Sequence, residues 1–168
     1  DGYNVIFAWE DLKELAKVNI EGARHKLMDV LCNYQGYRGC QVILVYDAYQ
    51  VEGEHLEIMK YHNIHVVYTK EAETADQYIE KVVHQIGRKY HVTVVTSDGV
   101  EQVVTLGQGG TLISAREFRE DVKIMEQQLR EEYLERHGSS RNFLFDHLDE
   151  ELAAHMEDVR LGRKDLEN

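Results

Sequence analysis

The segment VILVYD, residues 42–47, is a short apolar run that ends in an acid. Residues 64–68 (IHVVY) and 92–96 (VTVVT) form two more short runs, rich in β-branched residues. Such runs are typical of strands buried on both faces of a parallel sheet. Helical patterns alternate with them along the chain. The sequence therefore predicts a three-layer α/β fold with a central, mainly parallel sheet and right-handed crossovers.

The helices are predicted from apolar periodicity and capping residues. Asn19 is expected to cap a helix over about 20–34, and Ser114 with Glu117 forms a capping box that opens a charged helix to about 137. Further helices are expected near 54–61, 74–89, 98–106 and 145–161, with turns or loops at 36–39, 107–110 and 138–142. We expect one domain over 1–137 and a helical extension, 138–168, that packs on it.

Composition limits the classes of function. The net charge of −12 over 168 residues argues against a free-standing nucleic-acid binder, which usually has a basic surface. No apolar run is long enough for a membrane span and no signal peptide is visible, so no membrane partner is expected. Cys32 and Cys40 lack metal-site spacing and are interpreted as reduced thiols of a cytoplasmic protein, with an oxidised pair as the alternative.

Acidic residues follow the predicted strands. Asp47 comes directly after one of them, Asp98 follows another with Ser97 between, and Glu73 and Asp76 lie at the start of the helix after the third. Parallel strands bring such residues to one edge of the sheet, where α/β proteins place their sites. A carboxylate site without a Cys or His pair suits Mg²⁺ or Mn²⁺ and disfavours zinc. No P-loop is present, so phosphoryl chemistry on a divalent cation is the function favoured, with no organic cofactor.

Each acid also has an ordinary structural interpretation. Asp1-Gly2 could form a hairpin turn rather than end a strand. Thr74 and Gln77 fit a capping box that would put Asp76 in a first helical turn, where acids complement the helix dipole. Either Ser97 or Asp98 could be a helix N-cap. Asp47 could ligate directly, act from a second layer around the site, or stabilise a loop.

Other polar groups could serve a substrate. Asn4 could orient a carboxylate ligand or a water molecule. Gly107, Gln108 and Gly109 could cradle a phosphate or form a plain flexible turn. Arg116 and Arg119 could reach a substrate phosphate, or remain solvated and pair with Glu117 or Glu120.

Several motifs together resemble one known family. These are DGYN at 1–4, VYDA at 45–48, TKEAETADQYIE at 69–80 and TSDGVEQ at 96–102, together with GQG at 107–109 and SARE at 114–117. They resemble the YacP-like branch of the NYN-domain ribonucleases over nearly the whole chain to about residue 137. The resemblance implies a PIN-like domain with a Rossmann-like sheet and a carboxylate-lined Mg²⁺ or Mn²⁺ site.

The resemblance also implies roles for individual residues. Asp1, Asp76 and Asp98 would hold the metal, Glu73 would be a fourth acid, and Asn4 and Ser97 would support them. The implied activity is endonucleolytic cleavage of mRNA on the translating ribosome, which would present the substrate to an acidic protein. An N-terminal strand that ends at Asp1 is expected before residue 1 and is missing from this sequence.

Two other functions remain open. A non-catalytic adaptor associated with the ribosome or RNA could keep the fold without cleaving. A small-molecule phosphohydrolase could use the same carboxylates, although Tyr3 stands where the commonest acid-phosphatase-like fold has the second acid of its Asp-x-Asp pair.

Overall fold

The three apolar runs each form a strand. They are β1 (Ile43–Tyr46), β3 (Ile64–Tyr68) and β4 (Thr93–Val95). The structure is a computed structural model that describes residues 1–47, 57–70, 73–97 and 110–145, with side chains at all of these except Glu57 and residues 137–145. The sequence therefore located these three strands to within one residue at each end.

Two pairs of strands run parallel. β1 pairs with β3, so that Ile43 lies opposite His65 and Tyr46 opposite Tyr68, and β4 pairs with β5 (Thr111–Ile113). β2 (Glu57–Tyr61) adds antiparallel to the other edge of β3. The described strands thus form a sheet of order β1-β3-β2 and a second sheet, β4-β5. The predicted α/β class with a mainly parallel sheet is confirmed.

The β1-β3 pair is buried on both faces, as its apolar sequence predicted. Successive side chains of a strand point to opposite faces. Leu44 and Tyr46 belong to a core cluster with helical residues of the first 38 positions, whereas Val45 belongs to a second cluster with Ile79 and Val83. Helices therefore cover both faces of these strands, which accounts for the three layers.

Five helices are described. They are α1 (Gly2–Ala8), α2 (Glu10–Val18), α3 (Ile20–Arg38), α4 (Ala75–Ile86) and α5 (Ala115–Phe145). Asn19 caps α3 by accepting from the Gly22 N–H at 2.9 Å, as predicted. Gly39 ends the same helix in the left-handed region, φ 65°, which glycine adopts without steric cost. Among the helices described, none is both long and apolar enough to cross a membrane.

The chain divides into two units, Asp1–Met125 and Glu126–Asn168. In the first unit, Phe118, Val122 and Met125 of α5 belong to the larger core cluster. In the second unit the described part is the rest of α5, where Gln127 donates to Glu131 at 2.9 Å. The predicted division at 137/138 stays a prediction.

Some predicted elements were wrong. The segment predicted as helix near 54–61 contains β2, because residues 57–61 complete a hairpin with β3 through a turn at His62, φ 49°. The loop predicted at 138–142 is part of α5, since no proline interrupts that helix before Phe145. Helices α1 and α2 and strand β5 were not predicted. The helix expected near 98–106 lies outside the described residues, and so does the one expected over about 145–161 apart from Phe145, which belongs to α5.

Candidate active site at the carboxyl ends of the strands

Asp1 is the N-cap of α1, so the hairpin interpretation of Asp1-Gly2 is wrong. Its Oδ1 accepts from the backbone N–H of Asn4 at 3.1 Å, and its Oδ2 accepts from the Asn4 side-chain amide at 3.1 Å. The backbone nitrogen of Asp1 donates to the carbonyl oxygen of Val95, the last residue of β4, at 3.1 Å. These bonds fix the carboxylate at the carboxyl end of β4. The strand expected before Asp1 stays a prediction.

Gly2 fixes the same helix against β1. A Cβ on Gly2 would lie 2.3 Å from Cε1 of Tyr46, the last residue of β1. No side chain larger than hydrogen fits there without displacing the buried ring. The start of α1 therefore lies against the end of β1 and also contacts the end of β4.

Asp47, the residue after β1, binds the start of α4. Its Oδ1 accepts from the backbone N–H of Ala75 at 2.7 Å. Thr74 and Gln77 form the predicted capping box, with bonds of 3.2 and 3.1 Å, and so define where the helix begins. Asp76 consequently lies in the first turn of α4, at the same sheet edge as Asp47. The structure gives Asp47 a stabilising role, and direct ligation by it stays a prediction.

Glu73 lies just before the cap of α4. Its carboxylate is 3.9 Å from the ammonium of Lys81, and its side chain is largely shielded from solvent. Glu73 and Asp76 thus flank Thr74 at the helix start. Ser97 follows the end of β4 and is exposed, whereas Thr96 beside it is fully buried.

The described part of the site is not a complete ligand set. Among the described residues, no three Asp, Glu, His or Cys side chains form a group that could hold a metal ion. Asp98, Gly107, Gln108 and Gly109 lie outside the described residues. Asp1 and Asp76 offer carboxylate oxygens, the donors that Mg²⁺ and Mn²⁺ prefer, so the donor chemistry fits a hard divalent cation. The role of each predicted site residue stays a prediction.

The two arginines near the start of α5 differ in their surroundings. Arg116 is exposed in the first turn. Arg119 is 3.3 Å from Asp11 of α2 and stacks on the Trp9 ring, with Cζ 4.6 Å from the ring centroid. Arg119 is thus fixed by contacts with α2 and its N-cap, and within the described part of the chain it forms its ion pair with Asp11 rather than with Glu117 or Glu120. Glu117 instead bonds Ser114, which lowers the pKa of its carboxyl.

Sequence reasoning missed a buried polar cluster behind this edge. Tyr46 is fully buried and Arg24 of α3 is only 3% exposed, and both lie close to Tyr3. Among the residues that the structure describes, the hydroxyls of Tyr3 and Tyr46 and the Nε of Arg24 are buried and have no hydrogen-bond partner. Burial raises the pKa of both phenols, which keeps them neutral. The sequence did contain a signal for this cluster, because Arg24 lies between Ala23 and Leu27 on the apolar face of a predicted helix.

Comparisons with known proteins agree with this architecture. A sequence model of the YacP-like NYN domain matches residues 1–161. The uncharacterized protein YacP of Bacillus subtilis (strain 168) is 40% identical over 130 residues, which cover 77% of this chain and 76% of that protein.

Two solved structures share the fold. The crystal structure of Rae1 (YacP) from Bacillus subtilis superposes with a TM-score of 0.71 at 36% identity, covering 100% of this chain and 96% of that one. A mutant form of the same protein gives a TM-score of 0.71 at 37% identity, over 83% and 81% of the two chains. This chain therefore belongs to the YacP-like NYN domain family, whose members are nuclease-like domains of the PIN type.

Proposed function

We propose that this protein is a divalent-metal-dependent endoribonuclease that cleaves mRNA in association with the translating ribosome. The observation that supports this most is the contact of three chain segments at the carboxyl ends of β1 and β4. Asp1 lies at the end of β4, and Asp47 at the end of β1 binds the start of α4, which carries Asp76. In a nuclease-like domain, acids at the carboxyl ends of the strands lie where an α/β site is expected.

In this proposal Asp1, Asp76 and Asp98 hold Mg²⁺ or Mn²⁺, with Glu73 as a fourth acid. When bound, such a cation supplies positive charge to the scissile phosphate and lowers the pKa of a coordinated water. The residues of the chain position these groups. Asn4 orients both oxygens of Asp1, and Asp47 holds the helix start that carries Asp76. A carboxylate held by fixed bonds needs less reorganisation when it binds a cation.

The remaining predicted residues would act on the substrate. Ser97 would support the acids from the end of β4, and Arg116 with Gly107, Gln108 and Gly109 would contact the RNA backbone. The ribosome partner is supported by charge, since a protein of net charge −12 gains little affinity from the phosphate backbone of free RNA. An mRNA presented by the ribosome would not have to be captured by a basic surface. We accordingly expect a cytoplasmic location.

The decisive experiment is an mRNA cleavage assay in a reconstituted translation reaction. Wild type, Asp76→Asn and Glu80→Gln are compared with Mn²⁺ or with EDTA, with and without ribosomes. Glu80 is the matched control because it is an exposed acid one turn further along α4. We expect cleavage by wild type and Glu80→Gln, none by Asp76→Asn and none in EDTA.

Folding of the variant is checked by thermal melting. Loss of the Asp76 charge relieves repulsion among the acids, so Asp76→Asn should melt at or slightly above the wild-type temperature. A lower melting temperature would favour a purely helix-stabilising role for Asp76. Cleavage by folded Asp76→Asn at the wild-type rate would contradict the site assignment. Absence of cleavage by wild type, together with ribosome binding, would instead indicate an adaptor.

A further inference from the structure

Phe7 is a large aromatic residue on the surface of α1. Its side chain is 51% exposed, although its ring is held in place by Tyr3, one turn earlier on the helix. The two ring centroids lie 6.2 Å apart and the ring planes differ by 21°. Phe7 therefore presents an exposed aromatic ring whose orientation is already constrained.

Tyr3 is itself fixed from behind. Its ring centroid lies 5.0 Å from that of the buried Tyr46, and the Arg24 guanidinium lies over it with Cζ at 6.0 Å. Tyr46 in turn stacks on Tyr68, with centroids 5.6 Å apart and planes 21° apart. A series of rings thus runs from the end of β3, through the end of β1, to the exposed Phe7. Ordering this ring costs little entropy on binding, because its neighbours already restrict it.

The position of Phe7 links it to the proposed site. Asp1 caps α1, and Phe7 lies six residues further on, which is about 9 Å along the axis of an α-helix. Tyr46 and Tyr68 are the last residues of β1 and β3, so the series of rings begins at the sheet edge that carries Asp47. An RNA strand that passes Asp1 would need to extend only a few nucleotides to reach Phe7.

The charge of the protein indicates which part of RNA this surface can contact. With a net charge of −12, the protein gains little from the phosphate backbone, the main source of affinity for most nucleic-acid binders. A base has a neutral π-face that stacks on an aromatic side chain whatever the sequence. We propose that Phe7, supported by Tyr3, stacks on an unpaired nucleobase of single-stranded RNA near the scissile phosphate. This inference rests on the proposed function and names the substrate contact of that site.

The test measures binding apart from cleavage. Fluorescence anisotropy of a labelled single-stranded RNA oligonucleotide is recorded in EDTA for wild type, Phe7→Ala, Phe7→Trp and Tyr90→Ala. Tyr90 is the matched control because it is 66% exposed and precedes β4, at the opposite sheet edge from the acids. Phe7→Ala should weaken binding about 5- to 150-fold, in the range of one lost base stack. Tyr90→Ala should bind as wild type does, and Phe7→Trp at least as tightly.

Two further measurements test whether Phe7 contacts RNA by stacking on a base. The ratio of the Phe7→Ala and wild-type dissociation constants should stay constant as salt rises, because a neutral stack is not screened. A series of RNA oligonucleotides is prepared, each with one abasic site at a different position. One of these positions should weaken binding by wild type, and none should change binding by Phe7→Ala.

Three results would overturn the inference. The first is equal RNA binding by Phe7→Ala and wild type. The second is a change in the self-association of Phe7→Ala, measured by sedimentation, without a change in RNA binding. The third is the absence of RNA binding by wild type at any accessible concentration. The ribosome-coupled cleavage assay tests the proposed nuclease activity separately. Metal-dependent cleavage by wild type would leave that activity standing even where one of these three results overturns this inference.

Discussion

Gly2 shows how one residue determines the position of a catalytic candidate. Its Cα lies against the Tyr46 ring, and a Cβ there would be 2.3 Å from ring atom Cε1. Tyr46 cannot move easily, because it packs between Tyr3 and Tyr68. The absence of a side chain at position 2 is therefore what lets Asp1 sit beside the ends of β1 and β4.

Gly2→Ala should be destabilising and should reduce activity. The overlap with a buried ring is of the kind that costs about 1–3 kcal/mol when extra atoms enter a packed core. Urea unfolding measures the loss in the free energy of unfolding. The rate of RNA cleavage, at a temperature where the variant stays folded, shows whether the displacement of Asp1 reduces activity.

Gly36→Ala is the matched control for this substitution. Gly36 lies within α3, and the nearest atom to an added Cβ is the Asn63 amide nitrogen at 3.9 Å. Alanine there should stabilise the protein by up to about 1 kcal/mol, because alanine favours a helix more than glycine does. Equal stability of Gly2→Ala and wild type would show that the Tyr46 contact does not constrain the site.

At the residue scale, the sequence predicted which residues belong to the candidate site better than it predicted the contacts that those residues make. Asn4 was expected to orient a carboxylate ligand or a water molecule, and it donates to both oxygens of Asp1. The sequence left three roles open for Asp47. The bond that Asp47 accepts from Ala75 could not be predicted, because it depends on where β1 and α4 meet in space. The burial of Arg24 and Tyr46 follows from tertiary packing, which apolar periodicity alone does not report.

Among the elements, α4 matters most for the proposed chemistry. Its start is fixed by the Thr74–Gln77 capping box and by Asp47, and its first turn carries Asp76. Both capping residues satisfy backbone groups that an uncapped helix end would leave open.

Thr74→Ala should lower stability by about 1 kcal/mol, the usual cost of losing an N-cap. It should also weaken Mn²⁺ binding, because the turn that holds Asp76 loses one of its restraints. Asn19→Ala is the control, since Asn19 caps α3 in the same way through Gly22. A similar loss of stability in both variants, with weaker Mn²⁺ binding only in Thr74→Ala, is expected. Unchanged Mn²⁺ binding in Thr74→Ala would mean that the cap does not position Asp76.

The predicted elements differ in how much local sequence controls them. The buried strands were located well, because nearly unbroken apolar runs have few other interpretations. Residues 57–61 form a strand because β3 provides an edge for antiparallel pairing, and that edge is invisible in local sequence. Helices α1 and α2 were missed although α1 is capped by Asp1, because the acid was considered only as a strand or turn residue.

In the first unit as a whole, Asp11 joins three helices. Its carboxylate lies 3.0 Å from Lys26 of α3 and 3.3 Å from Arg119 of α5, and Asp11 itself belongs to α2. Partial burial opposes its ionisation, but the hydrogen bond and charge of Lys26 and the charge of Arg119 outweigh this and lower the pKa of Asp11. The ion pairs therefore favour the folded state whenever Asp11 is ionised.

The pH dependence of this contribution has a defined sign. A carboxyl whose pKa is lower in the folded state stabilises the protein above the unfolded-state pKa, near 4, and loses that effect as pH falls through the folded-state pKa. Asp11→Asn should therefore lower stability by about 0.5–1 kcal/mol at pH 7, a small amount because the pair is partly exposed.

Urea unfolding of wild type and Asp11→Asn across pH 3–7 checks this. The difference between the two proteins should hold down to about pH 4 and shrink below it. A difference that grows as the pH falls would show that the pKa of Asp11 is raised rather than lowered.

At the scale of the whole molecule, the sequence predicted the fold class, whereas the gathering of the acids at one edge stays a prediction. The fold class was predictable because short apolar strands that alternate with helices leave few other arrangements. The geometry among Asp1, Asp47 and Asp76 depends instead on contacts between distant segments, such as those of Asp1 with Val95 and Gly2 with Tyr46. Such contacts have no local signature in the sequence.

Binding of Mn²⁺, measured through the electron paramagnetic resonance signal of the free ion, tests whether the acids of this protein form a metal site. Wild type, Asp76→Asn and Glu80→Gln are titrated under identical conditions. We expect binding by wild type and Glu80→Gln, and a loss of affinity of more than about tenfold in Asp76→Asn. Equal affinity of folded Asp76→Asn and wild type would contradict the assignment of this sheet edge as the metal site.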